Sequence, residues 1–166
     1  IGVHYARPVS RHALVSFYYA PVGDPALGPT AFPHRASAMD LPQATLGHHW
    51  QDATHISSNV FTAGISYRRL RLETSGFRGR EPNENRWNVD MGKMDSWSSR
   101  LTLQANRNWL AQASVARIEH PETTHADDIV RTTASLHYVR PQTRKADLAA
   151  SAIWARNYKS IAKFST

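Results

Sequence analysis

Three side chains in one stretch of this chain have the types and spacing to hold a metal ion: His48, Asp52 and His55. On a helix running from Gly47 to Ile56 they would fall at i, i+4 and i+7 on one face, and two imidazoles with a carboxylate suit a divalent cation. The pattern lacks the His-Glu-x-x-His spacing of zinc hydrolases, the chain has no cysteine, and Gly47 with the surrounding prolines favours turns as readily as helix. The competing reading is that these rings hydrogen-bond to loop backbone and plug the mouth of a surrounding sheet.

Other chemistry has less to stand on. Ser37, Ser57 and the Ser96-Trp97-Ser98-Ser99 run sit near histidines or acids in sequence, yet none lies in the Gly-x-Ser-x-Gly elbow that would expose a nucleophile. Glu81, Glu84, Asp90 and Asp95 could offer oxygens to Ca²⁺, although their spacing matches no EF-hand. The sequence therefore points to no catalytic residues and to a protein that is not an enzyme. A second set of charged and polar residues, Arg71, Glu73, Arg100, Gln104, Arg131, His137 and Asp147, acquires meaning only through the elements that carry it.

Those elements alternate. Phe61, Ala63, Ile65 and Tyr67 oppose Thr62, Gly64 and Ser66; Leu70 and Leu72 oppose Arg71, Glu73 and Ser75. Trp97, Leu101, Leu103 and Ala105 oppose Ser98, Arg100, Thr102 and Gln104, and Trp109, Ala111, Ala113 and Val115 oppose Gln112 and Ser114. Val130, Thr132, Ala134, Leu136 and Tyr138 oppose Arg131, Thr133, Ser135 and His137, and Leu148, Ala150, Ala152 and Trp154 oppose Asp147, Ala149 and Ser151. With a weaker pair at Gly2 to Ala6 and Ala13 to Val22, the period of two predicts eight strands in four hairpins, each about 9–11 residues long. Every residue of the second set falls on the polar side.

The connections sort by length and charge. Short ones near residues 7–11, 68–69, 106–108 and 140–145 hold Arg7, Arg11, Arg68, Arg69, Arg107, Arg140, Arg144 and Lys145 with no acid. Long ones at roughly 23–57, 81–95 and 119–128 hold eleven of the thirteen Asp and Glu. This predicts an all-β, antiparallel up-and-down meander forming a β-barrel or part of a larger one, with a basic rim at one end and an acidic rim at the other. The chain of 166 residues reads as one domain.

Which solvent each face meets follows from composition. A soluble sandwich would pack its apolar face densely with Val, Ile, Leu and Phe. Here that face is Ala-rich, with Tyr67, Trp97, Trp109, Tyr138, Trp154 and Tyr158 near predicted strand ends, as in the aromatic girdles of a membrane barrel. The opposite face suits a hydrated lumen. No apolar run approaches the ~20 residues of a membrane helix, which does not bear on a barrel strand. The net charge of +7 is spread over turns and alternate strand positions without a nucleic-acid motif, so nucleic acid is not an expected partner. Trp50 and Trp87 fall in the long connections, outside this scheme.

Several segments, Pro25-Ala26-Leu27-Gly28-Pro29, Ala31-Phe32-Pro33-His34-Arg35, Gly47-His48-His49, Asp52-Ala53-Thr54-His55-Ile56, Ser75-Gly76-Phe77-Arg78-Gly79-Arg80-Glu81-Pro82, Arg86-Trp87-Asn88 and Asp95-Ser96-Trp97-Ser98, resemble motifs in a group of uncharacterised bacterial outer-membrane β-barrel proteins of porin-like kind. The resemblance implies an outer-membrane location and a barrel longer than this segment, and it brings no catalytic residues. The chain starts and stops inside strand-like sequence and reads as a fragment or mature piece. The expectation is a passive pore or structural envelope component with outer-membrane lipid and small solutes as partners, no cofactor, and an open oligomeric state. The alternatives are a metal-binding β-domain using the His-rich connection and a soluble β-sandwich binding domain.

Overall fold

A computed structural model describes residues 2–38, 40, 43, 47–51, 57–80, 85, 91–121, 127–143 and 146–159, the side chains of 49, 141–143, 146 and 147 excepted. Eight strands follow one another: β1 (Val3–Pro8), β2 (Ala13–Gly23), β3 (Ser57–Tyr67), β4 (Leu70–Arg78), β5 (Ser96–Gln104), β6 (Trp109–Ile118), β7 (Ile129–Thr143) and β8 (Ala146–Lys159). Each pairs antiparallel with the next in a single sheet ordered β1 to β8, the meander that alternation predicts. Among the described residues β1 and β8 are its two edges, so the sheet is open.

One rung fixes the register. Val15, Ile65, Leu72, Leu101, Ala113, Ala134 and Trp154 stand side by side across β2 to β8. The next polar rung, Ser16, Gly64, Glu73, Arg100, Ser114, Thr133 and Ala155, points to the opposite side. Leu101, Leu103, Ala134, Leu136 and Ala150 thus share one face, and Arg100, Thr102, Gln104, Arg131 and Ser135 the other, as the period of two requires. Asp147 lies in β8 but its side chain is outside the described residues.

Strand lengths depart from the uniform 9–11 residues: β1 has six, β7 fifteen and β8 fourteen. The fourth basic connection is correspondingly shorter than residues 140–145, because pairing continues through a bulge to Thr143↔Ala146. The charge and proline at 140–145 read as a turn, but β-pairing overrides that signal where a bulge can absorb it. The lengthening has a direction. Counted from the Val15 rung, the last turn-end pair lies one residue away in β1 (Pro8 from Arg7), two in β3 (Tyr67 from Ile65), three in β5 (Gln104 from Leu101) and nine in β7 (Thr143 from Ala134). Each hairpin is displaced past the previous one in the same sense, the stagger that inclined strands in a curled sheet require.

The turns are knitted to one another. The β3–β4 hairpin turns on Arg68 and Arg69, with Arg68 at φ 54°, and the Arg68 amide donates to the His12 carbonyl of the neighbouring turn at 2.8 Å. Asn106 Oδ1 accepts from the amides of Asn108 and Trp109, closing the β5–β6 turn. The Asn108 side chain donates to the Val139 carbonyl, and the Val139 amide to the Asn108 carbonyl. The strand ends joined by the short turns lie at one end of the sheet and those joined by the three long connections at the other, as an up-and-down order dictates.

The two faces are packed in opposite ways. Val15's face remains bare: Phe17, Phe61, Ile65, Leu72, Leu101, Leu136 and Trp154 are all exposed. The polar face is the covered one, with Ser16, Thr62, Glu73, Ser75, Ser98, Ser114, Arg131 and Thr133 buried. A small apolar cluster of Val60, Phe77, Ala116 and Ile118 sits on that same face toward the loop end, closed by Leu27.

Candidate functional site: the polar face and the loop folded over it

The cover is the β2–β3 connection. Residues 24–38 do not gather at the mouth of the sheet, as a plug would, but run down the polar face from the loop end to the turn end. Leu27, 2% exposed, drops into the apolar cluster. The Ala26 amide donates to Ser75 Oγ at 2.8 Å, and Ser75 is paired with Thr62 Oγ1 at 2.7 Å. The Gly28 amide donates to Ser114 Oγ at 2.8 Å, itself paired with Thr133 Oγ1 at 2.6 Å. Two hydroxyl pairs on the sheet thus receive two alternate loop amides, which removes the cost of burying any of these groups. Gly28 has φ 64°, a left-handed conformation that a Cβ would strain, and its carbonyl accepts from Arg100 Nη1 at 3.1 Å. Beyond a 3-10 turn at Phe32–His34 the loop reaches β8, where Ser37 and Ser151 share a 2.6 Å hydrogen bond.

Beneath Gly28 lies the charged centre that the alternation brings together. Glu73 Oε1 is 3.0 Å from Arg71 Nε, and its Oε2 accepts from Arg100 Nε at 3.2 Å and Nη2 at 3.0 Å. Arg71 also donates to Ser66 Oγ and Ser16 Oγ. Every carboxylate oxygen and both forks are therefore engaged, the condition under which a buried ion pair is tolerated. Gly64 supplies the floor: a Cβ there would stand 2.9 Å from Ser16 Oγ and 3.3 Å from Glu73 Cγ. The network rims a cavity of about 150 Å³ that also meets His4, Tyr18 and Asp24.

The remaining polar-face residues are placed but not gathered. Arg131 Nε donates to Asn157 Oδ1 at 2.9 Å on the neighbouring strand. Gln104 stands on the predicted face, but its amide caps the turn through the Asn106 and Trp109 carbonyls, because the strand ends there. His137 Nε2 and Ser135 Oγ are 3.0 Å apart near the turn end. Of the metal set, His48 lies on one helical turn, α1 (His48–Gln51), with its ring 5.5 Å from that of Phe32, while Asp52 and His55 lie outside the described residues. Among the described residues no group of three or more metal-ligating side chains comes together.

Leu27, Gly28, Ser75, Ser114 and Arg35 were not singled out by type or spacing. A faint signal existed, since Leu27 is an apolar residue in a Pro- and Gly-punctuated connection and the polar face is rich in small hydroxyls that let backbone approach. Comparison with protein families, with characterised proteins and with solved structures finds no match, so the functional reading rests on the chain's own geometry.

Proposed function

We propose that this chain forms wall of a bacterial outer-membrane β-barrel, a passive pore or structural envelope component without catalytic activity, in which residues 24–38 narrow the lumen. The observation that carries this reading is the inverted packing: the sheet hides its Ser, Thr, Arg and Glu face beneath its own chain and leaves its aliphatic and aromatic face bare. In water, a patch of that extent would bind something or aggregate. Lipid is the partner that its pattern fits. Tyr19, Phe61, Trp97 and Tyr158 share one rung near the loop end, Trp109 packs on Tyr138 at 4.8 Å near the turn end, and the rungs between are mainly Leu, Ile, Val and Ala, with Thr74 and Ser99 hydrogen-bonded to each other and Thr132 beside Arg156 on the one next to the loop-end aromatics. Eight residues separate Trp109 from Arg117 on the Trp97 rung, about 26 Å along the strand and roughly 20 Å in height at a 40° tilt, the scale of a membrane barrel's apolar band. Two cations stand at this level of the face: Arg117 on the rung itself, 3.2 Å from Asp128 on the loop side, and Arg156 one rung further in, over the Tyr158 ring at 4.5 Å and so turned toward the expected interface.

The uniform stagger of the hairpins suits a wall of inclined strands. The test is reconstitution into vesicles of brominated lipid with single-tryptophan variants. Trp154, in the middle of the band, should be strongly quenched, and Trp50, exposed on the loop side, should not. Equal quenching of neither, with the protein monodisperse in buffer, would leave a soluble sandwich in its place.

A further inference from the structure

A larger cavity, about 260 Å³, lies on the polar face at the turn end, between loop residues 30–37 and β5 to β8. His34 and Arg35 bound it from the loop, Arg107 and Asn108 from the β5–β6 turn, and Gln112 and His137 from the sheet. Among the described residues that line it there is no Asp or Glu. The contrast with the Glu73 cavity is what gives it meaning: there Arg71 and Arg100 are neutralised by Glu73 and face Asp24, whereas here Arg107 and His34 border the space with no carboxylate among the described lining residues. The surrounding end of the molecule adds to this, because the turns at that end carry arginines and no acid.

The groups divide into fixed and movable. Arg35, 6% exposed, is held as wall by a 2.5 Å bond from Nε to the Thr30 carbonyl, and His137 is held against Ser135. Arg107 at the turn tip and His34 on the loop are exposed, so both can reach a guest. We infer that this cavity binds a small oxyanion, a phosphate or a carboxylate. Guanidinium and imidazole donors give such an anion charge-assisted hydrogen bonds in a site already partly shielded from water. The volume admits phosphate or a short dicarboxylate and excludes a polymer. The inference deepens the pore reading by naming a solute class, and rests on it for the solute's passage.

The experiment titrates the full chain, folded in detergent micelles at constant ionic strength, with inorganic phosphate and separately with succinate, following the histidine ring signals by NMR. Saturable shifts at His34 and His137 are expected with at least one of the two; phosphate alone would mark a phosphoryl site, succinate alone a carboxylate site. Arg107→Gln should weaken binding roughly 10-fold, the worth of one charge-assisted hydrogen bond. His34→Gln should weaken it in the same direction. Arg11→Gln removes the same charge from a distant turn and should leave binding unchanged, with circular dichroism confirming that each variant is folded. Shifts that never saturate, or equal losses in Arg11→Gln and Arg107→Gln, would overturn the site. Lipid quenching of Trp154 without oxyanion binding would remove this inference alone, and binding without quenching would keep the site while removing the pore reading.

Discussion

Glu73 is one of two acids outside the long connections, and the sheet gives it two arginines from neighbouring positions rather than solvent. Its carboxylate is what allows Arg71 and Arg100 to lie side by side beneath the loop, and through Arg100 it holds the Gly28 carbonyl. Glu73→Gln keeps the shape and removes the charge, leaving two facing guanidiniums in a partly buried site. The expected loss is about 2–3 kcal/mol in urea unfolding of the detergent-folded protein, somewhat under the cost of orphaning a fully buried charge. Adding Arg100→Met to Glu73→Gln should recover part of that loss. If the double variant's loss relative to wild type equals the sum of the Glu73→Gln and Arg100→Met losses, the two side chains are not coupled.

At the scale of elements, the loop and the sheet are matched by complementary small features: an apolar residue for a socket, alternate amides for hydroxyl pairs, a left-handed glycine over an arginine. Leu27 is the piece with the largest apolar surface, enclosed by Val60, Phe77, Ala116 and Ile118. Leu27→Ala should undock residues 24–38 before the strands separate, since the strand ladder does not depend on it. Hydrogen exchange at the Ala26 and Gly28 amides is expected to accelerate roughly 30-fold or more, the equivalent of about 2 kcal/mol, while the β5–β6 ladder stays protected. Uniform acceleration across the sheet would mean that loop and sheet unfold as one unit.

For the whole molecule, the proposed barrel wall predicts which side meets lipid and which end faces which compartment. Gln112 and Ala113 are adjacent on β6, at nearly one depth, and point to opposite sides. In bilayers Ala113→Arg should cost about 2–4 kcal/mol, the penalty for a cation on the lipid face near the midplane. Gln112→Arg should cost under about 1 kcal/mol, because it extends into the polar cavity. Ser135, which alternation alone would nominate as the tolerant position, is buried and bonded to His137, so an arginine there has no room. In the proposed barrel, orientation would follow from loop length, since short turns lie on the periplasmic side of outer-membrane barrels. In cells carrying the protein, a cysteine at Met91 should react with an impermeant biotin reagent, and one at Arg107 only after the outer membrane is permeabilised. The reverse pattern would invert the topology.

Much of this was legible in the chain, and for a definite reason. A strand places successive side chains on opposite faces by covalent geometry alone, so Leu101 and Leu103 against Arg100 and Thr102 declare a face before any partner is known, and an up-and-down order then fixes register, turn end and loop end together. That is why Arg71, Glu73 and Arg100 could be assigned to one side from spacing, and why the basic turns could be assigned to one end. The course of residues 24–38 was not legible, because a segment without periodicity carries no vector: whether Leu27 plugs a mouth or a wall depends on a socket built by Val60, Phe77, Ala116 and Ile118 from three other strands. The same holds for Ser75 and Ser114, ordinary hydroxyls in sequence that become anchors only because the loop's amides arrive above them. The sequence by itself determined the two faces and their alternation; the tertiary structure decided which face the chain would cover, because backbone donors in a long loop must find acceptors, and the polar face is where this sheet keeps them.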